Sequence, residues 1–216
     1  MYRLVILDFD GVVLESIAVK TNAFRTLFSD EPDHIEEIVD FHVKNGGMSR
    51  FNKFRYIYKN ILKRELDQTT FDRLSERFAG IVFDAVIRVA FVPGAEEFLS
   101  RWSTRLPLYI VSATPERELK EIVEARNLGK YFQEVFGAPR NKTDCICEIL
   151  VGSGTSGSEA LFVGDALNDL TAARDAGVRF AGRVKDGDPD VFRGAPGVDT
   201  VVADLSGLSH YLEGKT

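Results

Sequence analysis

At 216 residues, with 44% hydrophobic and 28% charged side chains and a net charge of -6, the chain has the composition of a folded globular protein. That length holds one ordinary α/β core with a smaller inserted module and excludes two full-sized domains. The acidic balance offers no field to draw nucleic acid or anionic lipid, and no apolar stretch approaches the roughly 20 residues that cross a bilayer, so neither partner is expected. Cys145 and Cys147 are the two cysteines. On a helix their spacing sends them in different directions, which argues against a disulfide or a metal pair. With no N-terminal leader pattern, a reducing cytoplasm is the expected setting.

Leu4-Val5-Ile6-Leu7 is a short apolar run that stops at Asp8. Continuous runs of this kind suit strands buried on both faces of a parallel sheet. From Glu15 to Arg88 the strand signal is absent. Apolar residues recur there at helical spacing, through Phe51, Phe54, Tyr58 and Ile61 and then Phe71, Leu74, Phe78, Ile81 and Ala85. Lys53, Arg55, Lys59, Lys63 and Arg64 among them read as the solvated face of amphipathic helices. Pro93-Gly94 breaks this pattern, and a helix through Phe98 and Trp102 follows. Leu108 to Val111 before Ser112, and Leu161 to Val163 before Gly164-Asp165, repeat the theme of an apolar run ending in a polar or acidic cluster. Gly152 to Ser158 reads as a Gly/Ser-rich loop, Val178–Val184 and Val198–Val202 as strands, and Leu205–Leu212 as a closing helix.

The expected architecture is therefore α/β: a Rossmann-like parallel sheet core from residues 1–14 and 89–216, with residues 15–88 inserted as an all-helical cap. In such sheets ligands bind outside the carboxyl ends of the strands, which puts the three polar clusters on one edge. In extended chain Asp8 and Asp10 point to the same side, and two carboxylates about 4 Å apart repel by roughly 4 kcal/mol at an effective dielectric near 20. That arrangement needs a cation or a retained proton, and a hard dication such as Mg2+ takes oxygen ligands. Asp165, Asn168 and Asp169 form a second acidic cluster, better explained as metal ligands and their surrounding hydrogen-bonding layer than as a helix cap alone. Ser112 sets a hydroxyl just before a helix opening at Pro115, a place that suits an anion such as phosphate and equally a plain helix cap. Lys142 is a cation in a loop before a helix, with Arg140 as its competitor.

Together, Asp8-Phe9-Asp10-Gly11, Ser112, Lys142 and Gly164-Asp165-Ala166-Leu167-Asn168-Asp169 resemble the haloacid dehalogenase superfamily, in its phosphoglycolate-phosphatase-like branch with a helical cap. The lysine segment, Pro139-Arg140-Asn141-Lys142, departs from the Lys-Pro form common there. The resemblance implies a Mg2+-dependent phosphatase acting on a small phosphorylated metabolite of the phosphoglycolate or sugar phosphate type. Asp8 would be the nucleophile and Asp10 the acid and base. Asp8, Asp10 through its backbone carbonyl and Asp165 would hold the metal, with Asp169 acting through water, while Ser112 and Lys142 would bind the phosphoryl oxygens. Asp10 favours phosphate esters over the reaction of the related phosphonatases, which use a cap lysine as a Schiff base; Lys44 and Lys53 are available here, but neither outweighs Asp10. Within the insert Gly47, Ser49 and Arg50 are the candidates for substrate contact, Arg50 gripping a second anionic group. Gly47-Met48-Ser49-Arg50 also fits a phosphomutase cap segment, which keeps a β-phosphoglucomutase-like activity as the alternative. A receiver-like domain or a catalytically silent interaction protein would be readings from other classes.

Overall fold

The computed structural model describes residues 1–215. Six parallel strands form one sheet in the order β3-β2-β1-β4-β5-β6. They are β1 (Leu4–Leu7), β2 (Leu108–Pro115), β3 (Glu134–Ala138), β4 (Ala160–Gly164), β5 (Arg179–Arg183) and β6 (Val198–Val202). All four residues of β1 are buried, as its unbroken apolar run requires of a strand covered on both faces. Alternation along the strand divides them: Val5 and Leu7 join one hydrophobic cluster, Leu4 and Ile6 the other. The first cluster packs under α5 (Ala95–Trp102), α6 (Glu116–Ala125) and α9 (Leu205–Glu213), and the second under α7 (Lys142–Ser153) and α8 (Leu167–Ala176).

Between β1 and α5 lie four α-helices: α1 (Ile17–Leu27), α2 (Ile35–Lys44), α3 (Arg50–Tyr56) and α4 (Gln68–Arg88), with a π-helical turn at Ile57–Ile61 following α3. Their shared interior is aromatic. Phe24 meets Phe78 edge-on at 5.0 Å between ring centres, and Phe54 lies 5.8 Å from Phe24. The helical spacing of the insert is thus satisfied by a core of its own, continuous with the first cluster.

The two chain crossings between insert and core are held together. Leu14 and Phe91 form an antiparallel bridge. Arg183 donates to the Gly11 carbonyl at 3.2 Å and to Glu15 at 2.5 Å. Arg126 donates to the carbonyls of Ile87 and Val89 at 2.6 and 2.7 Å, satisfying acceptors that the end of α4 leaves open.

Three expectations need correction. β2 runs through to Pro115, so Ser112 lies inside a strand rather than after one, and α6 opens at Glu116. α7 continues to Ser153 and a 3-10 turn spans Gly157–Glu159, which shortens the expected Gly/Ser loop. Strand β3 has no counterpart in the sequence reading, because Glu134 and Gly137 interrupt what would otherwise be an apolar run. Cys145 and Cys147 are both free, and among the described residues no helix is long and apolar enough to cross a membrane.

Candidate functional site

The chain leaves β1 for β2 and β3 on one side and returns to β4 on the other, so the carboxyl end of β1 is the point where the strand order reverses. Asp8 and Asp10 follow β1, Ser112 and Thr114 lie in the last half of β2, Asp165 follows β4, and Lys142 is the first residue of α7. All of them come together at this edge. Asp8, Asp10, Ser112, Thr114 and Asp165 line one side of a cavity of about 100 Å3, and Lys20, His42, Gly47, Arg50 and Lys53 from the insert line the other.

Asp8 is buried; one oxygen accepts the Phe9 N–H at 2.7 Å and the other lies 2.8 Å from Lys142 Nζ. Lys142 also donates to Asp169 Oδ1 at 2.5 Å, while Asp169 Oδ2 accepts the Ala166 N–H at 3.1 Å. Arg140, by contrast, pairs with Glu148 at the surface, so it is Lys142 that reaches the acidic cluster. Burial pushes the Asp8 carboxyl up to about 7; Lys142 pulls it down, and the charges of Asp169 and Asp10 add to the rise. Burial likewise drives Asp165 well above the carboxylate range, with Asp169 and Asp8 contributing. For Lys142 burial works downward, yet Asp169 and Asp8 outweigh it and hold the ammonium charged.

Asp8, Asp165 and Asp169 present carboxylate oxygens within 4.8 Å of one another. Three carboxylates against the single ammonium of Lys142 leave two negative charges in excess, and every available donor is an oxygen. One hard dication fits that set in charge and in ligand type. Gly11 is needed for this assembly. Its φ is +75°, and a Cβ there would fall 2.2 Å from Asp165 Oδ2.

Asp10 has a different environment. Its oxygens accept from Ser16 Oγ at 2.5 Å, from Thr114 Oγ1 at 2.8 Å and from Lys20 Nζ, and Lys20 also reaches Thr114 Oγ1 at 2.7 Å. Burial opposes the charge, but Lys20, Ser16 and Thr114 prevail and hold the carboxyl below its ordinary range. The sequence reading missed Lys20, Ser16 and Thr114. Thr114 had a signal, since two residues beyond Ser112 it must face the same side of the strand; Lys20 had none, being one lysine on an ordinary helix. Ser112 Oγ accepts the Thr114 N–H at 3.2 Å, a bond inside the strand rather than a helix cap.

The insert residues separate. Gly47 lines the cavity with φ +73°, and a Cβ there would come within 3.1 Å of Asn168 Cβ. Asn168 is exposed and donates to the Gly46 carbonyl at 2.7 Å, so it ties insert to core instead of surrounding a metal ligand. Ser49 caps α3 by accepting the Asn52 N–H at 3.3 Å and is not among the cavity-lining residues. Arg50 is buried, 2.5 Å from Glu118 of α6 and 4.5 Å over the Phe78 ring, which means that its charge is already matched. Lys53, expected on a solvated face, is instead buried against the cavity, where it contacts the His42 ring nitrogen and the His42 carbonyl, each at 3.0 Å. The remaining members of that basic face, Arg55, Lys59, Lys63 and Arg64, are exposed as expected, and Lys44 pairs with Asp40 at the surface.

An open parallel sheet with a carboxylate cluster at its switch point and helices inserted after β1 defines a hydrolase of the haloacid dehalogenase-like class. The model of the haloacid dehalogenase-like hydrolase family matches residues 2–177, and the chain belongs to that family. It is 28% identical over 189 residues to phosphoglycolate phosphatase 1 of Pseudomonas aeruginosa, a match covering 83% of this chain and 68% of the relative. Solved structures share the fold at lower identity. A hydrolase from Pseudomonas syringae superimposes with a TM-score of 0.79 at 19% identity over 98% of both chains. A Thermotoga maritima protein assigned as a β-phosphoglucomutase does so with 0.71 at 19% identity, over 98% of this chain and 99% of that one.

Proposed function

We propose that this hydrolase is a Mg2+-dependent phosphatase that removes phosphate from a small phosphorylated metabolite through an aspartyl-phosphate intermediate, with residues 15–88 as its cap. The observation that carries the reading is Asp8, a buried carboxylate with one oxygen on Lys142, at the centre of the acidic cluster and open to the cavity. The family match and the phosphatase names of its relatives support the same reaction class.

Asp8 attacks phosphorus, forming the Asp8 O–P bond as the ester P–O bond breaks and the alkoxide leaves. Lys142, beside Asp8, and the Ser112 hydroxyl with the backbone N–H groups around it bind the phosphoryl oxygens. Asp10 gives a proton to the leaving oxygen and, in the second half, takes one from the water that attacks phosphorus and releases Asp8. The contacts with Lys20, Ser16 and Thr114 favour the carboxylate of Asp10, which is the form needed for that second half. Asp8, Asp165 and the Asp10 carbonyl would hold Mg2+, with Asp169 acting through water because both its oxygens are already bonded to protein. When bound, Mg2+ neutralises charge on the phosphoryl group and the carboxylates.

The phosphomutase reading leaned on Arg50 as a second phosphate site. Glu118 already matches that charge, which favours the hydrolase. The test is phosphate release from a panel of phosphate monoesters by the full chain with Mg2+, with EDTA, and as Asp8→Asn. Release that needs Mg2+ and is abolished in Asp8→Asn supports the reading. Full activity in EDTA, or isomerisation of a hexose phosphate without phosphate release, rejects it.

A further inference from the structure

The walls of the cavity contributed by the insert carry a charge with no counter-charge. Lys20 is spent on Asp10 and Arg50 on Glu118. His42, whose ring lies 4.1 Å from Phe24 and is held neutral by burial and by Lys53, contributes none. Lys53 is left. Its side chain is nearly wholly buried at 4% exposure, yet its ammonium contacts only the His42 ring nitrogen and carbonyl, and no carboxylate pairs with it among the described residues. Two of its three N–H groups have partners on His42, and Lys53 lines the cavity that Asp8 also lines. Burying an ammonium among Phe24 and His42 without a counter-ion is costly, and chains keep such an arrangement where a ligand completes it.

The ligand's chemistry follows from the accounting of charge and space. One unmatched positive charge calls for one negative charge, so a carboxylate matches it where a second phosphate dianion would overshoot. A cavity of about 100 Å3, where roughly 10–15 Å3 is enough to hold one water, admits a phosphoryl group together with a short alcohol part.

We infer that Lys53 is the specificity-determining residue of this enzyme and pairs with a carboxylate on the alcohol part of a short phosphate ester, so that the substrate is a small phosphorylated carboxylic acid. The inference rests on the phosphatase reading above for the position of the phosphate. It reassigns the second anion grip from Arg50, whose charge is matched, to Lys53, whose charge is not. Burial, with Lys20 adding repulsion and Asp165 and Asp10 opposing, lowers the Lys53 pKa to about 7. A bound carboxylate reverses that and restores the charge.

The experiment compares 2-phosphoglycolate with ethyl phosphate, an uncharged ester of the same length, on the full chain with Mg2+. Wild type, Lys53→Met and, as control, Lys44→Met at the surface are measured on both. The ratio of kcat/KM between the carboxylated and the uncharged ester is expected to fall about 100-fold in Lys53→Met, the scale for losing one partner of a buried ion pair, and to stay at the wild-type value in Lys44→Met. Equal losses on both esters in Lys53→Met would make Lys53 a packing residue and overturn the inference. The same two esters are titrated calorimetrically into Asp8→Asn with and without Lys53→Met. If wild type hydrolyses neither ester the phosphatase reading fails, and this affinity ratio still decides: a fall with Lys53→Met upholds the carboxylate site, and an unchanged ratio removes it.

Discussion

Replacing Glu118 by alanine tests whether Arg50 serves the structure or waits for substrate. Arg50 and Glu118 approach to 2.5 Å with side-chain exposures of 6% and 10%, one on α3 of the insert and one on α6 of the core. Removing the acid strands a buried guanidinium, a loss of about 3–5 kcal/mol for a pair this well shielded. For a chain of this size a kcal/mol moves Tm by about 2–4 °C, so Glu118→Ala should unfold roughly 6–20 °C lower. Removing both charges with residues of similar volume, Arg50→Met with Glu118→Met, should return stability to within about 1 kcal/mol of wild type, since no charge is then left alone. Urea unfolding of wild type, the two single methionine variants and the double variant gives the coupling energy directly. Because the pair is buried, the coupling should persist at high salt. Single substitutions that cost less than about 0.5 kcal/mol, or costs that simply add, would refute the account and return Arg50 to the substrate.

Further expectations concern the cavity. Lys20→Met takes the strongest counter-charge from Asp10, so its pKa should rise and the acidic limb of the kcat profile should move to higher pH; an unmoved limb would remove Lys20 from the control of Asp10. Lys53 has a folded pKa of about 7 against an ordinary 10.5, so between these values the unfolded chain binds more protons and stability rises with pH. The cost of Lys53 is full below about pH 7 and fades toward pH 10.5. Lys53→Met should therefore stabilise the protein most at pH 6, by about 2–4 kcal/mol once the lost contacts to His42 are discounted, and progressively less above pH 7. Urea unfolding at pH 6, 8 and 9.5 reads this, and a difference independent of pH would contradict it. Asn168→Ala, which cuts the bond to the Gly46 carbonyl, should raise KM on any ester while lowering the unfolding free energy by only about 1 kcal/mol; a fall in kcat alone would speak against a closing contact.

What the sequence made legible is what is local. Leu4 to Leu7 is a buried strand because each of its residues is apolar, and Asp8 and Asp10, just beyond its carboxyl end, both line the cavity. β3 was not legible, since Glu134 at its edge and Gly137 packed against Glu116 give no apolar run. Arg50 was misread for the opposite reason: its partner lies 68 residues away, on a helix with no pattern that marks Glu118 as buried. Lys53 sits in a run of basic residues whose neighbours Arg55 and Lys59 are exposed, and only the aromatic interior of the insert turns it inward. Which of Arg140 and Lys142 lies beside Asp8 is likewise tertiary, decided by which of them the start of α7 carries there.

Helix α6 meets the insert at two places. At its end Arg126 grips the Ile87 and Val89 carbonyls beside the paired crossings, and near its start Glu118 holds Arg50. Eight residues separate them, about 12 Å of helical rise. The insert is thus mounted on α6 like a door on its frame, with the pivot at one end and the bolt at the other. Any swing of the insert away from α6 would draw the bolt, exposing Arg50 and Glu118 to water together, and would break the Gly46–Asn168 bond in the same movement. Turnover would then be gated by an ion pair that never touches the reacting phosphate.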